Sequence, residues 1–207
     1  MTPSTHSAAG SQTADPQLAE LAKRARDGNR PAFEQLIDRY QKDIHRMIYY
    51  RIRARMDTED LTQDVFVRAY RNISRLREPE RFRSWLFAIA VNRVNDYLRK
   101  KRVRSIFKSS DEGLDVQPVT TDIENQPEAL EQVLKADFWR QIERIAQKLS
   151  KMEREVFMLR FMDNLNINEI AQIVKKSEST VKTHLYRALA KFKKEKELRK
   201  FLQEDLR

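Results

Sequence analysis

Apolar residues recur at three- and four-residue steps along most of the chain, which is the spacing of one face of an amphipathic helix. In the first half, four such stripes run through Leu18–Ala25, Phe33–Ile48, Leu61–Ala69 and Phe82–Val94. A fifth stripe, between Leu130 and Leu149, follows a proline at the first position of a new helix. The pattern predicts an all-α fold.

Three helix starts in the second half are indicated by capping chemistry. Ser150 stands three residues before Glu153, and Asn166 stands three before Glu169, which is the spacing of a capping box. Ser177 precedes a glutamate, so an acceptor and a negative charge lie at the positive end of a third helix. We therefore expect three helices between Leu149 and Phe192.

The last two of these helices have the proportions of a helix-turn-helix. A short apolar-faced helix, about Ile167–Val174, is followed by Lys175 and Lys176 and then by a longer helix. The turn contains no glycine, although a residue that tolerates positive φ is expected there. The longer helix is predicted to present hydroxyls and cations outward, and such groups bind base edges and phosphates. These residues are Ser179, Thr180, Lys182, Thr183, Tyr186 and Arg187. The alternative is that three amphipathic helices simply pack together and solvate their charged faces.

Composition narrows the classes of function. The 207 residues carry a net charge of +10, which favours a polyanionic partner, nucleic acid first, although ribosomal and membrane-surface proteins share the feature. Three glycines argue against a β-rich fold, and the absence of cysteine excludes disulfides and thiolate metal sites. The N-terminal residues do not have the pattern expected of a secretory signal, and no apolar run reaches the ~20 residues that a membrane span needs. We expect a cytoplasmic protein without membrane insertion. No cofactor and no enzymatic activity are expected, because no nucleophile–base pair or metal-ligand constellation appears.

Changes in composition divide the chain. Residues 1–14 are small and polar and predict a disordered leader. Residues 15–104 form a first helical domain, and residues 127–207 form a second with a C-terminal helical tail. Between them, 105–126 reads as a flexible linker, since lysine and arginine are missing from Ser109 to Glu131 while acidic residues abound. The linker either occupies a basic nucleic-acid groove or is merely solvated.

The third helix, predicted to begin at Asp57, is acidic at its start. It carries Asp57, Glu59, Asp60 and Asp64 in its first turns. Helix-dipole compensation accounts for some of these charges. Four carboxylates in a basic protein exceed that need and indicate a docking face for a basic partner. A magnesium site is the alternative, but no histidine or phosphate-binding loop accompanies them.

The end of the fourth helix is strongly basic. Arg99, Lys100, Lys101, Arg102 and Arg104 follow one another closely. The simpler explanation of these residues is that cations stabilise the negative end of the helix dipole. Their number favours contacts with nucleic-acid phosphates.

Together these segments resemble the extracytoplasmic-function (ECF, group IV) RNA polymerase sigma factors of bacteria. DTEDLTQDVFVRAYRNI resembles the family's acidic-aromatic helix, which binds a coiled coil of the polymerase's largest subunit. FRSWLFAIAVNRVNDYLRKKR resembles the helix that holds the −10 promoter element, and LNINEIAQIVKKSESTVKTHLYRALAKF resembles the −35-reading module. The resemblance covers about Leu18–Arg104 and Pro127–Phe192.

The resemblance implies two separate domains, σ2 and σ4, on a flexible tether. It also implies core RNA polymerase (largest and second-largest subunits), promoter DNA and an anti-sigma factor as partners. The polymerase-docking face would contain Asp57, Glu59, Asp60, Gln63, Asp64 and Phe66. The −10 strand would meet the loop Ser74–Arg81 and the fourth helix through Ser74, Arg75, Arg77, Arg81, Arg83, Asn92, Arg93, Asn95, Arg99, Lys100 and Arg102. The −35 duplex would meet Lys176, Ser177, Ser179, Thr180, Lys182, Thr183, Tyr186 and Arg187.

Two positions depart from the pattern of housekeeping sigma factors. Those proteins use an aromatic pair to wedge the duplex open, where this chain has Ala88 and Ile89. Strand separation would then depend on capturing a base in the loop. We interpret Trp85 as a core anchor. The rival functions are a stand-alone helix-turn-helix regulator, which binds duplex DNA without polymerase, and a helical adaptor that binds only proteins.

Overall fold

A computed structural model describes residues 15–108 and 148–193, and every regular element in these two ranges is helical, which confirms the all-α class. None of the helices described there is long and apolar enough to cross a membrane. The predicted leader, most of the predicted linker, the helix expected from Pro127 and the tail beyond Lys193 lie outside the described residues.

Residues 15–108, called the first half below, form four helices, with short 3-10 turns at Ile73–Arg75 and Pro79–Arg81 between the third and the fourth; residues 148–193 are called the second half. The helices are α1 Pro16–Arg26, α2 Arg30–Ile52, α3 Arg55–Asn72 and α4 Phe82–Lys108. Helix α1 begins as predicted, with the Asp15 carboxylate accepting from the Gln17 N–H at 3.0 Å. Gly28 ends that segment with a φ of 95°, a conformation that glycine adopts at little steric cost.

The predicted start of the third helix is wrong by two residues. Helix α3 starts at Arg55 rather than at Asp57, because the Asp57 carboxylate does not cap the helix and instead accepts a hydrogen bond from the Tyr97 hydroxyl at 2.7 Å. Helix α4 continues without a break from Phe82 to Lys108, since the segment contains neither glycine nor proline.

Residues 148–193 form three helices. They are α5 Lys151–Phe157, which runs on into a π-helical turn Met158–Met162, α6 Ile167–Val174 and α7 Glu178–Lys193. Both predicted capping boxes are confirmed, with the Ser150 and Asn166 side chains accepting from the N–H three residues on and the two glutamates reaching back.

The turn between α6 and α7 forms without glycine. Lys175 takes the left-handed conformation, with a φ of 53°. Its N–H and that of Lys176 both reach the Ala171 carbonyl, the latter at 3.0 Å, as in a Schellman cap. The helix-turn-helix geometry expected for this segment is therefore present, with a lysine in the position that usually favours glycine.

The two halves pack against each other. Helix α4 contacts α6, and one continuous apolar core includes residues of both halves, such as Leu86 of α4 and Ile170 of α6. A smaller cluster, made of Leu149, Phe157, Ala188 and Phe192, holds α7 on α5. The sequence predicted two separate bodies, and nothing in its local patterns indicated this contact.

Candidate nucleic-acid and polymerase interfaces

Helix α7 presents the predicted polar row to solvent. Ser179, Lys182, Thr183 and Arg187 are exposed, and Tyr186 is 70% exposed. Lys176 and Ser177 are exposed in the preceding turn, while Thr180 is half-buried. The Ser177 hydroxyl accepts from the Thr180 N–H at 3.2 Å, so it caps the helix and lies beside its positive end. A helix with this outward face is able to lie in a major groove.

The opposite face of α7 is fixed to α5. Val181 and Ala188 are fully buried, and the Phe192 ring stacks on Phe157 with 4.2 Å between centroids. The Lys191 ammonium donates to the Glu153 carboxylate at 2.6 Å. This hydrogen bond, together with the capping bonds of Ser150, lowers the pKa of Glu153. The outward row is thus held on a rigid base.

A cavity of about 320 Å³ lies where the end of α3 and the first 3-10 turn meet α4. Its walls are Arg68, Asn72, Arg75, Trp85, Ile89, Asn92, Arg93 and Asp96. It brings together three predicted −10 residues, namely Arg75, Asn92 and Arg93. Its volume is at the lower end of the ~300–1,000 Å³ typical of small-ligand pockets, and its walls combine an aromatic ring with amides and guanidinium groups. It therefore suits a planar polar group such as a nucleobase.

Sequence reasoning missed three residues of this cavity. Arg68 and Asn72 follow Asp64 at four-residue steps on α3, and Asp96 follows Asn92 by four on α4, so helical spacing from residues already singled out would have found them. The interpretation of Trp85 as a core anchor is incomplete. Its ring packs 5.8 Å from Phe82, yet it is only half-buried and its other side lines the cavity.

Asp64 links the acidic helix to this cavity. Its carboxylate accepts from the Arg68 Nε at 3.3 Å and forms an ion pair with Arg93 across to α4. The Arg93 Nε is buried and has no hydrogen-bond partner among the described residues. The predicted role of Asp64 in polymerase docking stays a prediction; in the free chain its charge is paired with Arg68 and Arg93 beside the cavity.

The remaining −10 residues are distributed along the α3–α4 connection and α4. Ser74, Arg77 and Arg81 are exposed in the connection, and Arg99, Lys100 and Arg102 are exposed near the end of α4. Asn95 is half-buried. Arg83 is the exception, because its guanidinium is turned away from solvent and bonded to Glu169 of α6 at 2.9 Å.

Three of the residues predicted to dock on polymerase are exposed on α3. Glu59, Asp60 and Gln63 are exposed, and Met56 one turn earlier is 82% exposed. Phe66, also predicted for this face, is part of the core and is only 8% exposed. Asp57 bonds Tyr97, and burial together with that carboxylate raises the pKa of Tyr97 to about 12. No group of three or more residues within 15–108 and 148–193 is arranged to hold a metal ion.

Comparison with known families agrees with this geometry. The Sigma-70 region 2 family matches residues 36–104, which include the whole cavity, and the Sigma-70 region 4 family matches residues 139–192, which include the helix-turn-helix. SigX of Bacillus subtilis, an ECF RNA polymerase sigma factor, is 30% identical over 84% of this chain and 87% of its own. The chain belongs to the ECF RNA polymerase sigma factors.

Other relatives of this sigma factor agree. SigW of Bacillus subtilis is 28% identical over 86% of this chain and 96% of its own length. BldN of Streptomyces coelicolor is 33% identical over 84% of this chain, which spans 63% of BldN. Sigma factors are RNA polymerase subunits without enzymatic activity, and this one belongs to the class that directs promoter-specific initiation.

Two solved structures share the fold. The structure of CnrH in complex with the cytosolic domain of CnrY has a TM-score of 0.60 and 24% identity, covering 91% of this chain and 98% of CnrH. The sigma factor RpoE, in complex with the anti-sigma factor NepR from Bartonella quintana, has a TM-score of 0.56 and 19% identity, covering 77% and 92% of the two chains. They support the helical architecture of both halves.

Proposed function

We propose that this ECF sigma factor reads a duplex −35 element with α7 and captures an unstacked base of the −10 strand in the α3–α4 cavity. The observation that carries the proposal is that one chain presents both an exposed polar helix face and a base-sized polar cavity. Hydroxyls, lysine and arginine on α7 suit base edges and phosphates. Extruding a base costs a few kcal/mol, which a pocket that stacks and hydrogen-bonds the base offsets.

The two proposed contacts are tested by single substitutions in run-off transcription with core RNA polymerase and a promoter library. Asn92→Ala changes the cavity wall and is expected to reduce discrimination among −10 sequences while −35 preference stays the same. Arg187→Ala changes the outward face of α7 and is expected to do the reverse. Each variant is the control for the other. If each variant lost discrimination equally at the −10 and −35 elements, the assignment of the cavity to −10 and of α7 to −35 would be contradicted.

Core polymerase is proposed to bind the exposed carboxylates of α3. Glu59 and Asp60 are both exposed, and Glu59 is paired within its own helix with the exposed Arg55 at 3.4 Å, a weak surface contact that a basic partner is able to replace. We expect Asp60→Arg to abolish co-purification with core polymerase. Asp38→Arg is the matched control, since Asp38 is an exposed aspartate on α2 that belongs to no proposed site. Normal core binding by Asp60→Arg would refute the docking face, and loss in both variants would show only a charge effect.

The same co-purification separates a sigma factor from a stand-alone helix-turn-helix regulator, which would bind promoter DNA without core polymerase.

We also propose an anti-sigma factor as a further partner, on the grounds that CnrH and RpoE are each solved in complex with another protein, named for RpoE as an anti-sigma factor. The cytoplasm is the compartment in which this function would be exercised.

A further inference from the structure

Asp64 is bonded to two arginines that line the α3–α4 cavity, although Asp64 is not itself among the lining residues. Its two carboxylate oxygens each accept from the Arg68 Nε at 3.3 Å, and one of them forms an ion pair with the Arg93 Nη2. Arg68 lies one turn further along α3, whereas Arg93 belongs to α4. One carboxylate outside the cavity therefore holds two guanidinium groups of its wall.

The two ion pairs of Asp64 lie in different environments. Arg68 is 49% exposed and is paired within its own helix, and such surface pairs contribute little free energy. The side chain of Arg93 is only 19% exposed, and its ion pair with Asp64 joins α3 to α4. The contact with Arg93 is therefore the one on which the geometry of the cavity depends.

Asp64 is the main partner of the Arg93 guanidinium. Asp96, which is also part of the cavity wall, lies 3.9 Å from the Arg93 Nη1 and is itself paired with the exposed Arg99 at 3.1 Å. The Arg93 Nε is buried and has no hydrogen-bond partner in the described part of the chain. Because a guanidinium is planar and rigid, a carboxylate that holds one of its nitrogens also restricts the directions of its remaining N–H groups.

The orientation of Arg93 matters because a guanidinium only donates hydrogen bonds. Its counterpart on a captured base is an acceptor, either a carbonyl oxygen or a ring nitrogen on the base edge. Without Asp64, the Arg93 side chain would turn toward Asp96 or toward solvent, because a mostly buried cation that loses its partner is strongly disfavoured. A donor that is already oriented needs no ordering when the base arrives, which favours a base with an acceptor in the matching position.

We propose that Asp64 is a positioning residue for −10 recognition, which fixes Arg93 at the cavity wall so that its guanidinium meets an acceptor on the edge of the captured base. The inference rests on the proposed capture of a −10 base in this cavity. Asp64 makes no contact with DNA in this assignment and acts through Arg93. Asp64 therefore serves promoter recognition, whereas polymerase docking belongs to the exposed Glu59 and Asp60 of the same helix.

The test uses run-off transcription with the full-length chain and core polymerase at saturating concentration. Its readout is the −10 discrimination, the ratio of transcript from the preferred −10 element to transcript from elements changed at one position. Asp64→Asn should lower this ratio roughly tenfold at the captured position, as expected for the loss of one good base contact. The −35 preference and co-purification with core polymerase should stay the same. Asp64→Glu keeps the charge and should retain most of the discrimination.

Asp43→Asn is the matched control. Asp43 is paired with Arg46 at 3.0 Å within α2, and its side chain is 39% exposed, close to the 35% of Asp64. The two substitutions remove the same charge from a similarly exposed ion pair, but Asp43 belongs to no proposed site. A general effect of net charge on DNA affinity would appear in both variants and at all sequences alike. We therefore expect Asp43→Asn to leave the −10 discrimination unchanged.

A double-mutant cycle with Arg93→Ala shows whether Asp64 acts through Arg93, which a loss of stability alone would not reveal. Arg93→Ala should lower the −10 discrimination roughly tenfold by itself. Adding Asp64→Asn should lower it no further, because the group that Asp64 positions is already gone. Thermal unfolding followed by circular dichroism checks that each variant is folded.

Three results would overturn the proposal. The first is that Asp64→Asn keeps the wild-type discrimination, and the second is that it lowers discrimination as much in the Arg93→Ala background as in the wild type. The third is that Asp64→Asn reduces co-purification with core polymerase instead, which would assign Asp64 to polymerase docking. Failure of the proposed function looks different, because Asn92→Ala, which changes the same cavity wall outside the ion pair, would then also leave the −10 discrimination unchanged.

Discussion

Lys175 occupies the left-handed position of the helix-turn-helix turn, and replacing it should increase stability. A non-glycine residue in this conformation costs ~1–2 kcal/mol, because Cβ approaches the neighbouring carbonyl. Glycine avoids that strain but gains ~0.4–1 kcal/mol of conformational entropy in the unfolded chain. Lys175→Gly should therefore raise the free energy of unfolding of the second half by ~0.5–1 kcal/mol, or roughly 2–8 °C in Tm for a domain below a hundred residues.

The neighbouring Lys176 gives the control. It is also exposed, but its φ is not positive, so it gains nothing from glycine. We expect the glycine variant to be more stable than the alanine variant at position 175, and the alanine variant to be the more stable at position 176. All four variants lose the same charge, so the comparison reports the backbone conformation alone. Urea and thermal unfolding followed by circular dichroism measure the order. If alanine is the more stable residue at both positions, backbone strain at Lys175 is not what limits the turn.

Three further outcomes are expected from the same geometry. Glu153→Gln should flatten the pH dependence of the free energy of unfolding. Because folding lowers the pKa of Glu153, the carboxylate stabilises the fold fully above its ordinary pKa of 4.5, and this stabilisation is lost as the pH falls through the folded pKa. Unfolding measured at a series of acidic pH values checks this. Phe192→Ala removes a ring that is 1% exposed and should destabilise the second half by ~3–5 kcal/mol, seen as loss of its unfolding transition. Lys182→Ala should reduce the slope of log affinity against log salt by about 0.9 if its ammonium contacts one phosphate, as measured by duplex binding at several salt concentrations.

Features governed by neighbours in sequence could be predicted. The limits of α6 follow from Asn166, Glu169 and the apolar spacing between them, because a capping box and an amphipathic stripe need only one turn of helix each. The exposed row on α7 follows in the same way from its buried partners Val181 and Ala188. The predicted start of α3 was wrong, because Asp57 accepts a hydrogen bond from Tyr97, forty residues away, instead of capping the helix.

Features governed by residues distant in sequence could not be predicted. A carboxylate on a helix start looks the same whether it faces solvent or an arginine of another helix, so Asp64 was read as part of a docking face. The pairing of Arg51 with Asp163 joins positions 112 residues apart and leaves no periodic trace. Phe66 shows the related difficulty that an aromatic residue at helical spacing fits either a binding face or the core.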